Sequence, residues 1–231
     1  NGKQEIQRSA SISGEPHVDH DAIRQFLDTL QWPLCYFDLE SFMTAIPPFD
    51  GTSPYQQLPF QFSVHNQQAP GEELEHHEFL MEHLSEPRAL FMEALQKIVP
   101  TTGSIVAYNA PFEKGVLKRC AKAFPKYQSW VDSVLPRFVD LLVPFRSFHF
   151  YHPDQHGSAS IKAVLPLLTD TSYDGLEIAE GAAAMVAFPK MVSHDITDTE
   201  RDAIRDNLLK YCAQDTTAMV DLVDALSLLT S

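Results

Sequence analysis

The sequence predicts an α/β fold in which a mixed sheet is layered with helices. Three observations predict it. Strand-like segments crowd the first part of the chain, at 32–40, 59–65 and 74–81. From 87 onward, helical and strand-like segments alternate. A long helix opened by the capping box Thr197–Glu200 closes the chain.

Taken in order, residues 1–20 are polar, rich in Ser and Gly and without periodicity, so they read as a flexible linker ahead of a domain over 21–231. Ile23, Phe26, Leu27 and Leu30 have helical spacing. The apolar run 32–37 is the first strand, and it ends in Asp38 and Glu40. Pro47, Pro48, Asp50, Gly51 and Pro54 mark a loop. Phe60, Phe62 and Val64 alternate, which places them on one face of a second strand. With 74–81 this makes an antiparallel meander of three strands, and the later strands are expected to run parallel.

A helix over 87–99 turns Leu90, Phe91, Ala94, Leu95 and Ile98 inward and stops at Pro100 and Gly103. A short strand at 104–108 leads into a helix over 112–123, with Pro111 suited to its first turn. A helix over 127–135, a strand over 138–145 carrying Asp140, a loop over 148–160 and a short helix over 160–168 follow. Residues 174–193 are rich in Ala and Gly and give no clear period. The last helix runs to about 229, with room for one break.

At 231 residues the chain can bury a sizeable core as one domain. No apolar run is long enough to cross a bilayer and no signal peptide is visible, so no membrane partner is expected. The three cysteines, Cys35, Cys120 and Cys212, are far apart and form no CxxC pair. That argues against a disulfide framework or a zinc knuckle, and favours a reducing, cytoplasmic setting. The net charge of −14 excludes a general basic coat for nucleic acid. It does not exclude a nuclease, which needs acids around a cation and only a local basic patch for phosphate. Chain initiation at Asn1 instead of Met fits a fragment of a longer protein.

Asp38 and Glu40 are two apart on a strand, so they share a face. Two acids on one face at the end of a buried strand repel each other unless the strand runs into solvent or a divalent cation sits between them. Tyr211 and Asp215 are four apart on the terminal helix and also share a face. Glu113 opens the helix after the 104–108 strand, within Asn109-Ala110-Pro111-Phe112-Glu113. On that helix Lys114, Lys118 and Lys122 recur every four residues with Arg119 beside them: a solvated face, or a grip for phosphates. Lys126 extends the spacing beyond Pro125.

This ordered set resembles the DEDD 3′–5′ exonuclease superfamily, which has an RNase H-like fold, in the variant that uses Tyr in its third motif. The His variant would carry His at the position of Lys210. The stretches Pro54-Tyr55-Gln56-Gln57-Leu58-Pro59-Phe60-Gln61-Phe62-Ser63-Val64-His65 and Gly157-Ser158-Ala159-Ser160-Ile161-Lys162-Ala163-Val164-Leu165-Pro166 resemble a bacterial branch known only as a domain of unknown function. In that branch the domain often follows a PD-(D/E)XK-type nuclease domain. The resemblance covers about 33–227.

The resemblance implies phosphodiester hydrolysis at the 3′ end of single-stranded DNA or RNA with two Mg²⁺ or Mn²⁺ ions roughly 4 Å apart. It implies that Asp38 bridges the ions, that Glu40 and Asp215 bind the ion that activates water, that Tyr211 orients that water, and that Glu113 holds the other ion. The superfamily usually has Asp where this chain has Glu113, one methylene longer. Asn109, Lys114, Lys118, Ser158, Ser160 and Lys162 are candidate substrate contacts.

Other clusters point less clearly to chemistry. Glu75, His76, His77, Glu78 and His83 hold zinc-type donors, but adjacent strand residues face opposite ways, and an exposed polar edge is the expected reading. Asp140 is expected to support the fold. His149, His152 and His156 are expected in a loop. Two alternatives to the enzyme stay open: a nucleic-acid-binding module weakened catalytically at Glu113, and an interaction domain that docks a neighbouring nuclease.

Overall fold

A computed structural model of the protein describes residues 2–230. Helix α1 (Gly2–Ser13), strand β1 (His17–Val18) and helix α2 (His20–Leu27) precede the main sheet. Strands β2 (Leu34–Phe42), β3 (Leu58–Gln67) and β4 (Glu75–Leu80) form the meander, and helix α3 (Arg88–Ile98) follows. Strand β5 (Ser104–Ala107), helix α4 (Pro111–Ala123), helix α5 (Gln128–Val134) and strand β6 (Phe138–Asp140) make the alternating part. Then come helix α6 (Val143–Arg146), strand β7 (Phe150–Tyr151) and helices α7 (Ile161–Leu168), α8 (Gly181–Met191) and α9 (Asp198–Leu229).

The five-stranded sheet has the order β4-β3-β2-β5-β6. β2, β3 and β4 pair antiparallel, whereas β5 and β6 run parallel to β2. This is the mixed, helix-flanked sheet of an RNase H-like fold, as the sequence predicts.

Alternation along β2 sorts its side chains between two layers. Cys35, Phe37 and Leu39 enter a core with α3, α4 and α5, built on Phe62, Phe91, Leu95 and Leu117. Leu34 and Tyr36 enter the opposite core with α2, α7 and α9, built on Ile23, Val164 and Leu222. Asp38 and Glu40 continue this second parity, so they face α9 where the apolar packing ends.

Several sequence readings change in three dimensions. Residues 1–20 are not structureless: they form α1 and β1, and β1 pairs antiparallel with β7. α1 buries only Ala10 and leaves most of its surface exposed, which is why no amphipathic period marks it. Phe60 does not share a face with Phe62 and Val64. The β2–β3 register shifts between Glu40 and Ser41, so Phe60 and Gln61 both turn toward α8 and α9, where Phe60 stacks on Phe188 and Gln61 bonds the Leu208 carbonyl. Pro59 cannot donate to the ladder, and a bulge is where a strand tolerates it.

The strand expected over 138–145 stops at Asp140. The Asp140 carboxylate accepts from Leu142 N at 3.1 Å and turns the chain, and Pro144 has no N–H to offer a ladder. The unassigned stretch 174–193 contains α8, and α9 is one unbroken helix of 32 residues behind its capping box.

Candidate metal centre

Three elements meet at the carboxyl end of β2. β2 brings Asp38 and Glu40, and α9 brings Tyr211 and Asp215. The N-terminal turn of α4 brings Glu113, just after Asn109, whose φ of 76° gives the left-handed turn that Asn tolerates. Asp140 accepts from Asn109 N at 2.9 Å and pins that turn, the supporting role expected of it.

One oxygen from each of Asp38, Glu40 and Asp215 lies within 4.8 Å of the other two. That spacing suits a single hard cation with oxygen ligands. Glu113 lies on the same cleft wall, only 2% exposed, and its Oε2 has no hydrogen-bond partner. A buried, unpaired carboxylate oxygen is costly in a protein without a counter-ion. The donor set therefore fits divalent cations such as Mg²⁺ or Mn²⁺.

The electrostatics say the same. Burial, then the charges of Asp215, Glu40 and Glu113, hold the Asp38 carboxyl well above the usual range, against a thiol contact from Cys212 at 3.5 Å. Burial and Asp215 push Glu40 up to about 8, with Lys162 opposing. Burial, Asp140 and Glu40 push Glu113 up to about 8. Asp215 rises less, to about 6: burial raises it, while hydrogen bonds from Tyr173 and Tyr211 and the nearby Lys162 lower it. Burial and the carboxylates keep the Tyr211 and Tyr173 hydroxyls neutral donors.

The cleft has a volume of about 410 Å³ and also exposes Asn109, Phe112, Ile161, Gly181 and Met185. Of the candidate substrate contacts, Asn109 lines it and Lys162 reaches its edge, with Nζ 3.4 Å from the Tyr211 hydroxyl and over the Tyr173 and Tyr211 rings. Ser158 and Ser160 are turned to local work: Ser160 caps α7, and Ser158 accepts from Ser160 N. Lys114 sits over the Phe138 ring, and Lys118 is exposed outside the cleft. His152 caps a short 3₁₀ turn at Pro153–Gln155, and His76 stacks on His65 along the β3–β4 edge.

Sequence reasoning missed Tyr173, whose hydroxyl donates to Asp215 Oδ1, and Cys212, which touches Asp38. It also missed Gly181, where an added Cβ would lie 3.6 Å from Glu40 Oε2. Tyr173 and Gly181 come from the loop before α8 and the start of that helix, with no period to flag them. Cys212 could have been found as the neighbour of Tyr211.

No helix among the described residues is long and apolar enough to cross a membrane. The chain is 24% identical over 209 residues to "Uncharacterized protein UU173" of Ureaplasma parvum serovar 3, covering 80% of this chain and 30% of that protein. The chain thus spans less than a third of its relative's length. No solved structure matches the chain. A family model described as "Domain of unknown function (DUF2779)" matches residues 35–160, more than half of the sequence, and the chain belongs to that family.

Proposed function

We propose that the protein is a divalent-metal-dependent 3′–5′ exonuclease of the DEDD type, removing nucleotides from single-stranded DNA or RNA. The observation that carries this reading is the trio Asp38, Glu40 and Asp215, with oxygens within 4.8 Å of one another in a cleft that also holds Tyr211 and Glu113. Asp38, Glu40 and Asp215 would hold one ion, and Asp38 with Glu113 would hold a second. When bound, Mg²⁺ or Mn²⁺ supplies Lewis-acid polarisation of the phosphodiester and lowers the pKa of a water.

The remaining chemistry belongs to the chain. Tyr173 donates to Asp215 at 2.5 Å and keeps that carboxylate ionised and fixed in orientation. Tyr211, held neutral, presents a hydroxyl to orient a water or a phosphate oxygen. Lys162, beside it, offers a positive charge to the phosphate. Asn109 and the apolar walls Phe112, Ile161 and Met185 give a terminal base a surface to pack on. A cleft of about 410 Å³ suits a frayed end more than a duplex, which favours exonuclease over endonuclease action. In the longer proteins of the family, the domain would work beside another nuclease domain.

The test is to follow 5′-labelled DNA and RNA strands with Mn²⁺ or Mg²⁺. Stepwise shortening by the wild type and none by Asp38→Ala is the expected result. No shortening under any condition, or equal shortening by Asp38→Ala, rejects the proposal, and binding without turnover would instead favour a nucleic-acid-binding module.

A further inference from the structure

We propose that a second cavity, bounded by Gly51, Ser53, Arg88, Arg119 and Lys122, is a phosphate subsite that grips a single-stranded nucleic acid several nucleotides from the end in the cleft. This rests on the nuclease reading above and names how its substrate is held.

The chain has 17 basic residues against 31 acidic ones, yet three of the basic ones line this cavity and no acidic residue does, among the described residues. Arg88 is tied to Glu86 at 2.7 Å, so Arg119 and Lys122 carry the available charge. Arg119 donates through one terminal nitrogen to Gln57 Oε1 at 2.7 Å, and its Nε–H is buried from solvent without an acceptor. The terminal nitrogens of the guanidinium carry further N–H donors beyond the bond to Gln57, which suits a phosphate, and Lys122 adds a point charge beside it.

Position ties the cavity to the cleft. Gln57, the partner of Arg119, lines the acidic cleft itself. α4 starts at that cleft with Phe112 and Glu113 and reaches this cavity with Arg119, Lys122 and Ala123. Six and nine residues of helix rise separate Glu113 from the two cations, about 9 and 14 Å along the axis. Phosphates of a stacked strand rise about 3.4 Å of axis per nucleotide and lie farther apart than that in space, so the cavity lies within about four nucleotides of the reacting end. Lys114 and Lys118, nearer the start of the helix on the face they share with Lys122, line neither cavity.

The test compares the wild-type chain with the double variant Arg119→Gln/Lys122→Gln, using fluorescein-labelled dT and rU dodecamers and a dinucleotide. Anisotropy in chelator reads binding, and Mn²⁺ assays read cleavage of the dodecamers and the dinucleotide. The double variant is expected to bind the dodecamers about tenfold more weakly, with a salt slope shallower by about 1.4 for two lost contacts at about 0.7 each. The ratio of kcat/KM for dodecamer to that for dinucleotide is expected to fall about tenfold. The exposed single variant Lys122→Glu gives the same readouts with little risk to folding, and thermal melts check both proteins. Unchanged dodecamer affinity and salt slope, or no dodecamer binding by the wild type, overturns the subsite. If the wild type cleaves but the length ratio does not move, the subsite fails and the nuclease stands. If nothing is cleaved but the binding difference holds, the nuclease reading fails and the subsite stands.

Discussion

The Tyr173 hydroxyl donates to Asp215 Oδ1 at 2.5 Å, across 42 residues of sequence. That bond, with help from Lys162 and Tyr211, is why Asp215 stays the most acidic member of a crowded group of carboxyls. Tyr173→Phe removes the donor and keeps the ring. The Asp215 pKa should rise, so protons compete better with a cation for the same oxygens. Mn²⁺ affinity measured by calorimetry should fall about tenfold at pH 6, in line with about 1.5 kcal/mol for a hydrogen bond to a charged group, and by less at pH 8. Equal loss at both pH values would mean the bond acts on geometry alone.

The metal-free protein should lose stability as pH rises. Glu40 and Glu113 have folded pKa values near 8, against 4.5 for an unperturbed Glu. Below about pH 4.5 both states are protonated and these groups contribute nothing. Between there and about pH 8, the unfolded chain releases protons that the folded chain retains, so unfolding is favoured increasingly. Above pH 8 the cost is fully expressed. Thermal melts in chelator should therefore give a falling Tm across that window, and Mn²⁺ should restore it most at the alkaline end. A Tm that climbs from pH 5 to 8 in chelator contradicts the raised values.

Asp38→Asn removes from the centre of the group a carboxyl whose ionisation burial and its acidic neighbours oppose. Without metal at pH 8, the variant should melt above the wild type by about 3–6 °C, because relief of about 1–2 kcal/mol of repulsion moves a domain of this size by that much. The Mn²⁺-induced rise of the wild type should be largely absent. Differential scanning calorimetry with and without Mn²⁺ reads both effects.

Asp140→Ala should destabilise the fold whether or not the cleft binds metal. Asp140 Oδ1 accepts from Asn109 N at 2.9 Å and from Leu142 N at 3.1 Å, and the alanine variant removes the acceptor of both. A loss of about 2 kcal/mol is expected in urea unfolding, since each hydrogen bond to a carboxylate contributes about 1 kcal/mol or more. Because the Asn109 turn aims α4, Glu113 should shift as well, and Mn²⁺ affinity should drop with stability.

Periodicity and turn chemistry act over a few residues, and what depends on them was legible. The alternation ending in Asp38 and Glu40, the helical spacing of Tyr211 and Asp215, and the capping box at Thr197 and Glu200 all appear in the structure where the sequence implies. The same local rules misplace Phe60, because a bulge opposite Glu40 reverses its face, and they overlook α1, which buries only Ala10.

The sequence by itself determined the layered α/β sheet, the pairing of acids along one strand face, and the excess of negative charge, since each is carried by residue type and short spacing. Only the tertiary structure decided that Asp38, Glu40 and Asp215 converge within 4.8 Å, that Glu113 is sealed beside them with an unpaired oxygen, and that Tyr173 and Cys212 touch the group. It also decided that Arg119 and Lys122, not Lys114 and Lys118, line a cavity. The reason is physical: side-chain convergence depends on sheet order, register shift and helix placement, which are properties of packing between distant segments and leave no mark on local spacing.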